Sequence, residues 1–324
     1  MKILHLNHYG SRMGGAEEYV AEVSAALQSA GHESFLVYFS SDNVQGLLPT
    51  GRFAPLPEWP QAPTQAIDVL EQVLAKFNPD LVYVHTVYHP ALLDWIAERL
   101  PTLAYVHAPY LVCPGSAQYL RRRAQICPHS AGFVCLANAQ LERCCWGRNP
   151  LKHLYLVRRS QALVRAYRQV RAVLVGSRYM QRLLRRGGIA SDKLSLLAPV
   201  LFRESSPPCT FADDSRTVLF AGRLIPEKGL RHLIQALARI ETEWQLVVAG
   251  DGPEQEACQN LAAQLGVASA VQFRGWLERS QMKAVLETCA VVAIPSLWPE
   301  PYGRVGPEAF FHGRPVVAYN VGGI

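Results

Sequence analysis

Short apolar segments alternate with amphipathic helical patterns through most of the chain, and this alternation restricts the possible folds more than any other feature. β-Branched and aromatic residues dominate the apolar segments, which are predicted as strands near 2–7, 33–39, 80–85, 102–107, 171–176 and 194–198. Helical periodicity predicts helices near 15–30, 64–77, 90–99, 151–169 and 177–186. Strands that alternate with helices predict a parallel sheet covered by helices on both faces.

The pattern stops around 199–214, where Pro199, Pro207, Pro208 and the pair Asp213-Asp214 predict a linker. A second series follows, with strands near 217–221, 245–249, 270–273, 290–294 and 315–319 and helices near 228–239, 253–265, 279–288 and 304–312. We therefore predict an α/β chain of two Rossmann-like domains, 1–200 and 201–324, that face each other across a cleft. Ligands of such sheets bind outside the carboxyl ends of the strands.

Composition and the N-terminal pattern indicate the cellular compartment of the protein. Hydrophobic residues make up 49% of the 324 residues, but no apolar run approaches the roughly 20 residues of a membrane span. The first residues enter a strand pattern directly and lack the features of a signal peptide. We expect a cytoplasmic protein, whose eight cysteines are reduced thiols.

The positive charge is concentrated in one segment. Residues 151–190 contain ten of the 32 Lys and Arg residues and none of the 26 Asp and Glu residues. One interpretation is an ordinary solvated helix face; the other is a surface that meets an anionic membrane or an anionic acceptor. Nucleic acid is not an expected partner, because the segment matches no nucleic-acid-binding motif.

Glycine turns with charged neighbours follow several strands of the second series. Gly222-Arg223 and Lys228-Gly229 flank a turn that opens a helix, and two cations there could neutralise a diphosphate. The loop after the strand near 290–294 carries Glu300 and Gly303, and Glu308 lies a turn into the next helix. Two such carboxylates can accept hydrogen bonds from two diols. Each feature alone is also compatible with an ordinary charged surface.

The ordered set of motifs resembles glycosyltransferase family 4, the retaining glycosyltransferases of GT-B fold. The family pattern of two glutamates eight positions apart reads Glu300-Pro301-Tyr302-Gly303 through Glu308. Its G-R-x-x-x-x-K-G pattern reads Gly222-Arg223 through Lys228-Gly229, and its G-x-G-P-E turn reads Gly250 through Glu254. The resemblance covers essentially the whole chain.

The resemblance implies a role for each matching residue. Arg223 and Lys228 would hold the donor diphosphate, Glu308 the ribose and Glu300 the transferred sugar, with Arg274 near the base. In the first domain, the glycine loop at Gly14-Gly15 would close over the diphosphate, and His107 would lie near the reacting sugar. The full implied set is catalytic His107, Glu300, Arg223 and Lys228, and donor-binding Gly14, Gly15, Gly222, Arg223, Lys228, Gly250, Arg274, Glu300, Tyr302, Gly303 and Glu308. His85 and His89 are candidates for shaping an acceptor pocket, and Arg304 would contact the donor or face solvent.

The predicted reaction moves a hexosyl-type unit from a UDP- or GDP-sugar to a hydroxyl of a glycan or lipid-linked acceptor, in polysaccharide or glycolipid synthesis. No D-x-D pair is present, so Arg223 and Lys228 rather than a metal ion would stabilise the leaving diphosphate, and no cofactor is expected. Retention of configuration is implied by the resemblance. Peripheral contact with the inner membrane face through 151–190 would fit a lipid-linked acceptor.

Two features leave alternatives open. Five cysteines, Cys113, Cys127, Cys135, Cys144 and Cys145, lie within 33 residues; they form either a structural metal site or a set of incidental thiols. The chain stops at Ile324, where the family normally continues, so we expect a truncated second domain. A non-catalytic nucleotide-sugar-binding or partner module, and an epimerase or phosphorylase of the same fold, are the alternatives to a transferase.

Overall fold

The computed structural model describes residues 1–11, 14–40, 52–57, 63–145, 147–199 and 215–324. The chain divides into two compact units, Met1–Phe202 and Arg203–Ile324. The predicted linker lies outside the described residues except at Pro199.

Unit 1 alternates strands and helices. Its strands are β1 (Lys2–Tyr9), β2 (Glu33–Ser40), β3 (Arg52–Pro55), β4 (Leu81–Val84), β5 (Thr102–Tyr105), β6 (Tyr119–Leu120), β7 (Gln125–Ile126), β8 (Ala172–Val175) and β9 (Leu194–Leu196). Its helices are α1 (Gly15–Ser29), α2 (Pro63–Phe77), α3 (Pro90–Ala97), α4 (Phe133–Leu141), α5 (Pro150–Tyr167) and α6 (Arg178–Arg186). Local chemistry sets these boundaries: the Asn149 side chain accepts hydrogen bonds from the N–H groups of Leu151 and Lys152, with Pro150 in the first turn of α5.

The main sheet of unit 1 has the strand order β3-β2-β1-β4-β5-β8-β9, and every neighbouring pair is parallel. The chain moves outward from β1 to β3 on one side and then from β4 to β9 on the other. The direction therefore reverses between β1 and β4, which makes their carboxyl ends the point where such sheets bind ligands.

Unit 2 repeats this plan with strands β10 (Thr217–Ala221), β11 (Gln245–Ala249), β12 (Val271–Phe273), β13 (Val291–Ile294) and β14 (Val316–Ala318). Its helices are α7 (Leu230–Leu237), α8 (Gln255–Gln264), α9 (Arg279–Thr288) and α10 (Val305–Phe311). The parallel strand order is β12-β11-β10-β13-β14, so the reversal lies between β10 and β13. Alternate strand residues enter separate cores on the two faces: Phe220 and Val248 pack in one, Leu219 and Val247 in the other.

The structure confirms the predicted alternation and the α/β class, since each predicted strand and helix is present within a few residues. Sequence patterns missed β3, the antiparallel pair β6–β7 and helix α4. The two strands of that pair have only two residues each, and α4 buries only Ala139 of its nine residues, so neither produces a detectable period. No helix in the described part of the chain is both long enough and apolar enough to cross a membrane.

Candidate functional site

Two charged residues that lie far apart in the sequence meet at the reversal point of unit 2. The turn after β10 leads to Lys228, and the loop after the neighbouring strand β13 leads to Glu300. The Lys228 Nζ atom donates a hydrogen bond to Glu300 Oε1 at 2.6 Å. The parallel pairing of β10 with β13 therefore brings together two residues that sequence analysis assigned to separate parts of a ligand.

The carboxylate of Glu300 is buried and held by several donors. Ser296 Oγ at 2.6 Å and Trp298 Nε1 at 2.9 Å donate to the same Oε1 atom as Lys228. Burial favours the protonated form, but Lys228 and the hydrogen bonds outweigh it, and the pKa of Glu300 is lowered from its usual value of 4.5. Glu300 is therefore a fixed negative charge at neutral pH.

Close backbone packing holds the two loops in contact. Gly229, with a φ of 72°, directly precedes α7, and a Cβ atom there would overlap the carbonyl oxygen of Pro295. The N–H of Leu297 donates to the carbonyl oxygen of Glu227 at 2.8 Å. The loop after β13 is thus fixed against the turn after β10, and the Lys228–Glu300 pair is positioned by backbone as well as by side chains.

Three glycine turns lie side by side at the carboxyl edge of the same sheet. The N–H of Gly222 donates to Ala249 at 2.9 Å, and the N–H of Gly250 donates to Gly275 at 2.7 Å. Gly250 has a φ of 135°, and a Cβ atom there would overlap the Gly222 carbonyl oxygen. Arg223 follows β10 and Arg274 follows β12, and both side chains are exposed. The Arg274 Nη2 atom donates to Gln272 Oε1 at 3.3 Å.

Helix α10 places Glu308 in its first turn, as predicted. The Arg304 Nε atom lies 3.4 Å from Glu308 Oε1, and both side chains are partly buried. Arg304 therefore neither faces open solvent nor stands apart from the predicted ribose-binding carboxylate. Tyr302 and Gly303, just before α10, are half-buried, and Gly303 has a φ of 76°.

In unit 1, the predicted glycine pair lies where the sheet reverses. Helix α1 begins at Gly15, directly after Gly14, which caps it through backbone only. Glu17 in its first turn is buried; desolvation raises its pKa, and a hydrogen bond from Asn7 opposes that rise. Asn7 also accepts from the N–H of Thr86 at 3.0 Å and so joins the ends of β1 and β4. Sequence analysis missed Asn7 and Glu17, because neither belongs to a motif with a distinctive spacing.

A cluster of aromatic and histidine rings surrounds His107 beyond the end of β5. His107 is half-buried, and its ring centroid lies 4.6 Å from that of Tyr105, 5.2 Å from that of Tyr19 and 5.8 Å from that of His85. His85 Nε2 lies 3.1 Å from Nδ1 of His5, and both rings are fully buried. Burial lowers the pKa of His5 to about 4 and that of His85 well below 6.5, so both are uncharged at neutral pH.

The prediction that His85 and His89 shape an acceptor pocket is not supported by their positions. His85 is 0% exposed and His89 is 6% exposed. The His89 ring packs on Phe39, with 4.7 Å between centroids, and burial lowers its pKa to about 4. Both rings are therefore buried in this structure and are not available for direct contact with an acceptor.

The basic segment 151–190 forms α5, β8 and α6. Nine of its ten Lys and Arg side chains are exposed. The exception is Arg159, which is partly buried with its guanidinium 4.9 Å from the ring centroid of Tyr88. Leu151 and Tyr155 are exposed on α5 beside these cations.

Comparisons with known proteins agree with this description. Residues 13–199 match the family described as Glycosyltransferase Family 4, and residues 202–324 match Glycosyl transferases group 1. An uncharacterized glycosyltransferase of Methanocaldococcus jannaschii is 40% identical over 114 residues, 35% of this chain and 29% of that protein. An uncharacterized glycosyltransferase of Bacillus subtilis is 25% identical over 291 residues, 82% of this chain and 77% of that protein.

Solved structures share the fold. The crystal structure of Anabaena HepE in complex with UDP-glucose superposes with a TM-score of 0.67 at 21% identity, covering 100% of this chain and 81% of that chain. The lipopolysaccharide outer core galactosyltransferase WaaB superposes with a TM-score of 0.66 at 17% identity, covering 99% and 81%. At these identities the similarity establishes the fold, two Rossmann-like domains, and confirms that prediction.

Proposed function

The chain belongs to glycosyltransferase family 4, and we propose that it transfers a glycosyl unit from a nucleoside diphosphate sugar to a hydroxyl group of an acceptor. The observation that carries the proposal is the buried Lys228–Glu300 pair at the reversal point of the unit 2 sheet. Open α/β sheets bind nucleotides at such a point. A cation and a fixed carboxylate there match a diphosphate and a sugar hydroxyl.

Lys228 and Arg223 are the groups that would stabilise the leaving diphosphate. Breaking the bond between sugar and phosphate places negative charge on the diphosphate, and cations already in position stabilise that charge. The Lys228 ammonium is anchored by Glu300, while Arg223 is exposed on the turn after β10. We assign Glu300 to the transferred sugar, because its carboxylate stays charged and can accept a hydrogen bond from a hydroxyl.

The remaining donor contacts follow from backbone geometry. Gly222 lets a ligand approach the chain closely, and Gly303 does the same before α10, while Gly250 lets the neighbouring turn pack against Gly222. Glu308 would accept hydrogen bonds from the ribose hydroxyls, with Arg304 keeping its carboxylate in place. We assign Tyr302, six residues before Glu308, to the same part of the donor site. We assign Arg274 to the base, and Gly14, Gly15 and His107 to the sugar side of the donor. The transfer would proceed with retention of configuration and without a metal ion at the diphosphate.

A UDP-sugar is the first donor to test, because Anabaena HepE was crystallised with UDP-glucose. A GDP-sugar is the second. WaaB acts in the lipopolysaccharide outer core, which supports a glycan or a lipid-linked glycan as the acceptor class here. Polysaccharide or glycolipid synthesis would be the corresponding process.

The donor site can be tested by thermal unfolding with UDP, GDP, ADP and their sugars, each with Mg²⁺ and with EDTA. A ligand at 100 times its dissociation constant stabilises the native state by about 2.7 kcal/mol, which raises the melting temperature by several degrees. We expect one diphosphate to do so equally with and without Mg²⁺, and Arg223→Ala and Glu308→Ala to abolish the rise. Arg216→Ala is the matched control, since Arg216 is exposed at the opposite end of β10 and pairs with Glu243. The absence of a rise with every nucleotide would contradict the proposal.

Turnover separates the transferase from its alternatives. We expect release of the nucleoside diphosphate to depend on an added acceptor, and the new glycosidic bond to have the anomeric configuration of the donor by NMR. An intact sugar nucleotide with one inverted carbon would identify an epimerase. Binding without turnover against a broad acceptor panel would favour the non-catalytic module.

We also propose that α5 contacts an anionic membrane surface. Exposed Leu151 and Tyr155 lie on α5 together with exposed Lys152, Arg158 and Arg165, so the helix offers both apolar and cationic side chains to an anionic surface. Each cation close to an anionic surface contributes about 1 kcal/mol.

Cosedimentation with vesicles tests this contact. Binding to vesicles that contain phosphatidylglycerol should exceed binding to phosphatidylcholine vesicles and weaken with salt. Arg158→Ala with Arg165→Ala should weaken it roughly 30-fold, while the exposed Arg216→Ala should not. Equal binding to neutral vesicles, or no effect of the double variant, would refute the contact.

A further inference from the structure

Two features of unit 1 outside the proposed donor site carry reactive or charged groups: the cysteines of 113–145 and Arg159 of α5. The cysteines offer no metal site in the described part of the chain, because no three or more His, Cys, Asp or Glu side chains there are placed to hold an ion together. Arg159 differs, because it is a partly buried cation in a basic segment whose other Lys and Arg side chains are exposed.

Two contacts place Arg159 at the carboxyl edge of the unit 1 sheet. Its guanidinium lies 4.9 Å from the ring centroid of Tyr88, in the loop after β4. The next residue, Ser160, is fully buried, and its hydroxyl donates to the carbonyl oxygen of Tyr110 after β5 at 3.0 Å. The backbone of α5 is therefore held beside the loops that follow β4 and β5 at the position of Arg159.

Tyr88 lies at the point where the sheet reverses. Its ring centroid is 5.1 Å from that of His8, near the end of β1, and 5.4 Å from that of Tyr110, and both contacts are edge-to-face. The ring thus contacts groups at the carboxyl ends of β1 and β5 as well as following β4. The Arg159 guanidinium lies over this ring, at the place where open α/β sheets bind ligands.

The groups around the Arg159 guanidinium do not compensate its charge. Residues 151–190 contain no Asp or Glu. Burial lowers the pKa of Arg159, and the ionisable groups that oppose this change are Tyr155 and Tyr88. Burial also raises the pKa of Tyr88 to about 12 and lowers that of His89 to about 4, so both are uncharged at neutral pH. A partly desolvated cation in such surroundings is stabilised when an anion binds to it.

One donor of the guanidinium is also unused. Arg159 Nε is buried and has no hydrogen-bond partner among the residues that the structure describes. Buried donors in native proteins almost always have a partner, and a ligand is one way to supply it. The Nε atom and an adjacent Nη atom form the side of a guanidinium that binds two oxygens of one oxyanion. The side chain as a whole is only partly buried, so an oxyanion can approach it.

We propose that Arg159 binds a phosphoryl group of the acceptor at the carboxyl edge of the unit 1 sheet. The acceptor assignment rests on the proposed transferase activity, whereas the anion site does not. A phosphomonoester carries a charge of about −1.5 to −2 at neutral pH. The positive field of 151–190 therefore favours phosphate over a carboxylate, which carries a single charge.

Two kinds of acceptor carry such a group. One is a soluble phosphorylated sugar or polyol, and the other is a lipid phosphate at a membrane surface. Leu151 and Tyr155 precede Arg159 at intervals of four residues on α5, so the three side chains share one face of the helix. Leu151 and Tyr155 are exposed. Contact of this face with a membrane would bring Arg159 close to a lipid phosphate.

Thermal unfolding with inorganic phosphate and with glycerol 3-phosphate tests the anion site without a donor. The Arg223→Ala chain serves as background, so that the proposed diphosphate site of unit 2 contributes little. We expect both phosphates to raise the melting temperature more than glycerol or sodium acetate at equal ionic strength. Adding Arg159→Met should weaken phosphate binding roughly 10- to 100-fold, and Arg159→Lys should recover part of it. Arg182→Met, at an exposed position of α6, should change nothing.

Turnover separates phosphate recognition from a general loss of structure. Donor consumption is measured with sugars and polyols, each compared with its phosphate ester. Arg159→Met should raise KM for the phosphorylated acceptor and leave KM for the donor and the melting temperature rise with nucleotide unchanged. A chain that binds phosphate through Arg159 but shows no turnover with any acceptor would count against the transferase and leave the anion site in place.

Vesicle cosedimentation identifies the source of the phosphate. With a lipid phosphate as acceptor, Arg159→Met should weaken binding to vesicles that contain phosphatidic acid more than binding to phosphatidylglycerol vesicles of equal surface charge. With a soluble acceptor, the variant should bind both as the native chain does. Either result agrees with the phosphoryl assignment when the phosphate titration depends on Arg159.

Crystals of the unmodified chain soaked in tungstate, an analogue of phosphate, cover the case in which the Arg159 variants do not fold. The anomalous signal of tungsten should place the ion within hydrogen-bond distance of the Arg159 guanidinium. Phosphate binding that is unchanged in Arg159→Met, or an equal effect of acetate, would overturn the proposal. Tungstate that occupies other positions and is absent from Arg159 would do the same.

Discussion

Removal of Lys228 should destabilise unit 2 more than neutralisation of its partner Glu300. Lys228→Met leaves the Glu300 carboxylate, which is 5% exposed, with only the Ser296 and Trp298 donors. Breaking a buried pair in this way costs about 3 kcal/mol. Glu300→Gln leaves the Lys228 ammonium, whose side chain is 20% exposed and can turn towards water. We expect Glu300→Gln to lower the free energy of unfolding by about 1.5 kcal/mol.

The pH dependence distinguishes the two variants. In the native chain the pKa of Glu300 is lowered from 4.5, so the pair stabilises the fold above pH 4.5 and the stabilisation is lost as the pH falls through the native pKa. Without Lys228, burial dominates and we expect the pKa of Glu300 to lie above 4.5. The folded variant then binds a proton before the unfolded chain does. Its deficit relative to the native chain should therefore shrink between pH 7 and pH 5.

Urea unfolding at pH 7 and pH 5, followed by tryptophan fluorescence, measures these differences. Leu286→Ala, which removes a buried side chain from a unit 2 core, identifies the transition that belongs to unit 2. The double variant Lys228→Met/Glu300→Gln should cost less than the two single variants together, because it leaves no unpaired buried charge. Equal costs for the single variants, unchanged between the two pH values, would refute a buried ion pair at this position.

Further predictions concern backbone and histidine chemistry. Gly250→Ala should destabilise unit 2 by at least about 2 kcal/mol, since φ at this position is positive and the added Cβ would overlap the Gly222 carbonyl oxygen. Gly266→Ala is the control in the same urea assay. Its φ is also positive but open space surrounds it, so it should lower the free energy of unfolding by only about 1 kcal/mol. Burial lowers the pKa of His5 from 6.5 to about 4, so its stabilising contribution is complete above pH 6.5 and is lost as the pH falls to about 4. Between pH 6.5 and pH 4 the free energy of unfolding of unit 1 should therefore fall by about 3 kcal/mol less in His5→Gln than in the native chain. A His5→Gln variant with the same pH profile as the native chain would show that His5 is not buried in its neutral form.

Sequence patterns predicted the regular elements well because their signals are local. The period of apolar residues located β10 and β13. Glycines marked the loops between β10 and α7 and between β13 and α10. The short strands β6 and β7 and helix α4 escaped detection. Gln118 next to β6 donates hydrogen bonds to the carbonyl oxygens of Cys127 and His129 after β7, and such bonds join residues through space and produce no period.

The candidate site was only partly predictable. Spacing identified Glu300 and Glu308 as paired carboxylates and Lys228 as a cation near a turn. It did not show that Lys228 bonds to Glu300, or that Arg304 bonds to Glu308. Position at a strand end also suggested His85 and His89 as residues that shape an acceptor pocket, whereas both are buried. Burial depends on which helices and loops cover a strand end, and that information is absent from the strand itself.

By itself, the amino-acid sequence determined the order of strands and helices, the two-part organisation and the motifs of family 4, because periodicity and turn chemistry depend on residues that are near each other along the chain. Only the tertiary structure decided which of the motif residues touch and which histidines are buried in their uncharged form. Parallel strand pairing joins positions such as 228 and 300, which lie 72 residues apart. Desolvation and charge proximity, which set the chemistry of these groups, act through space and not along the chain.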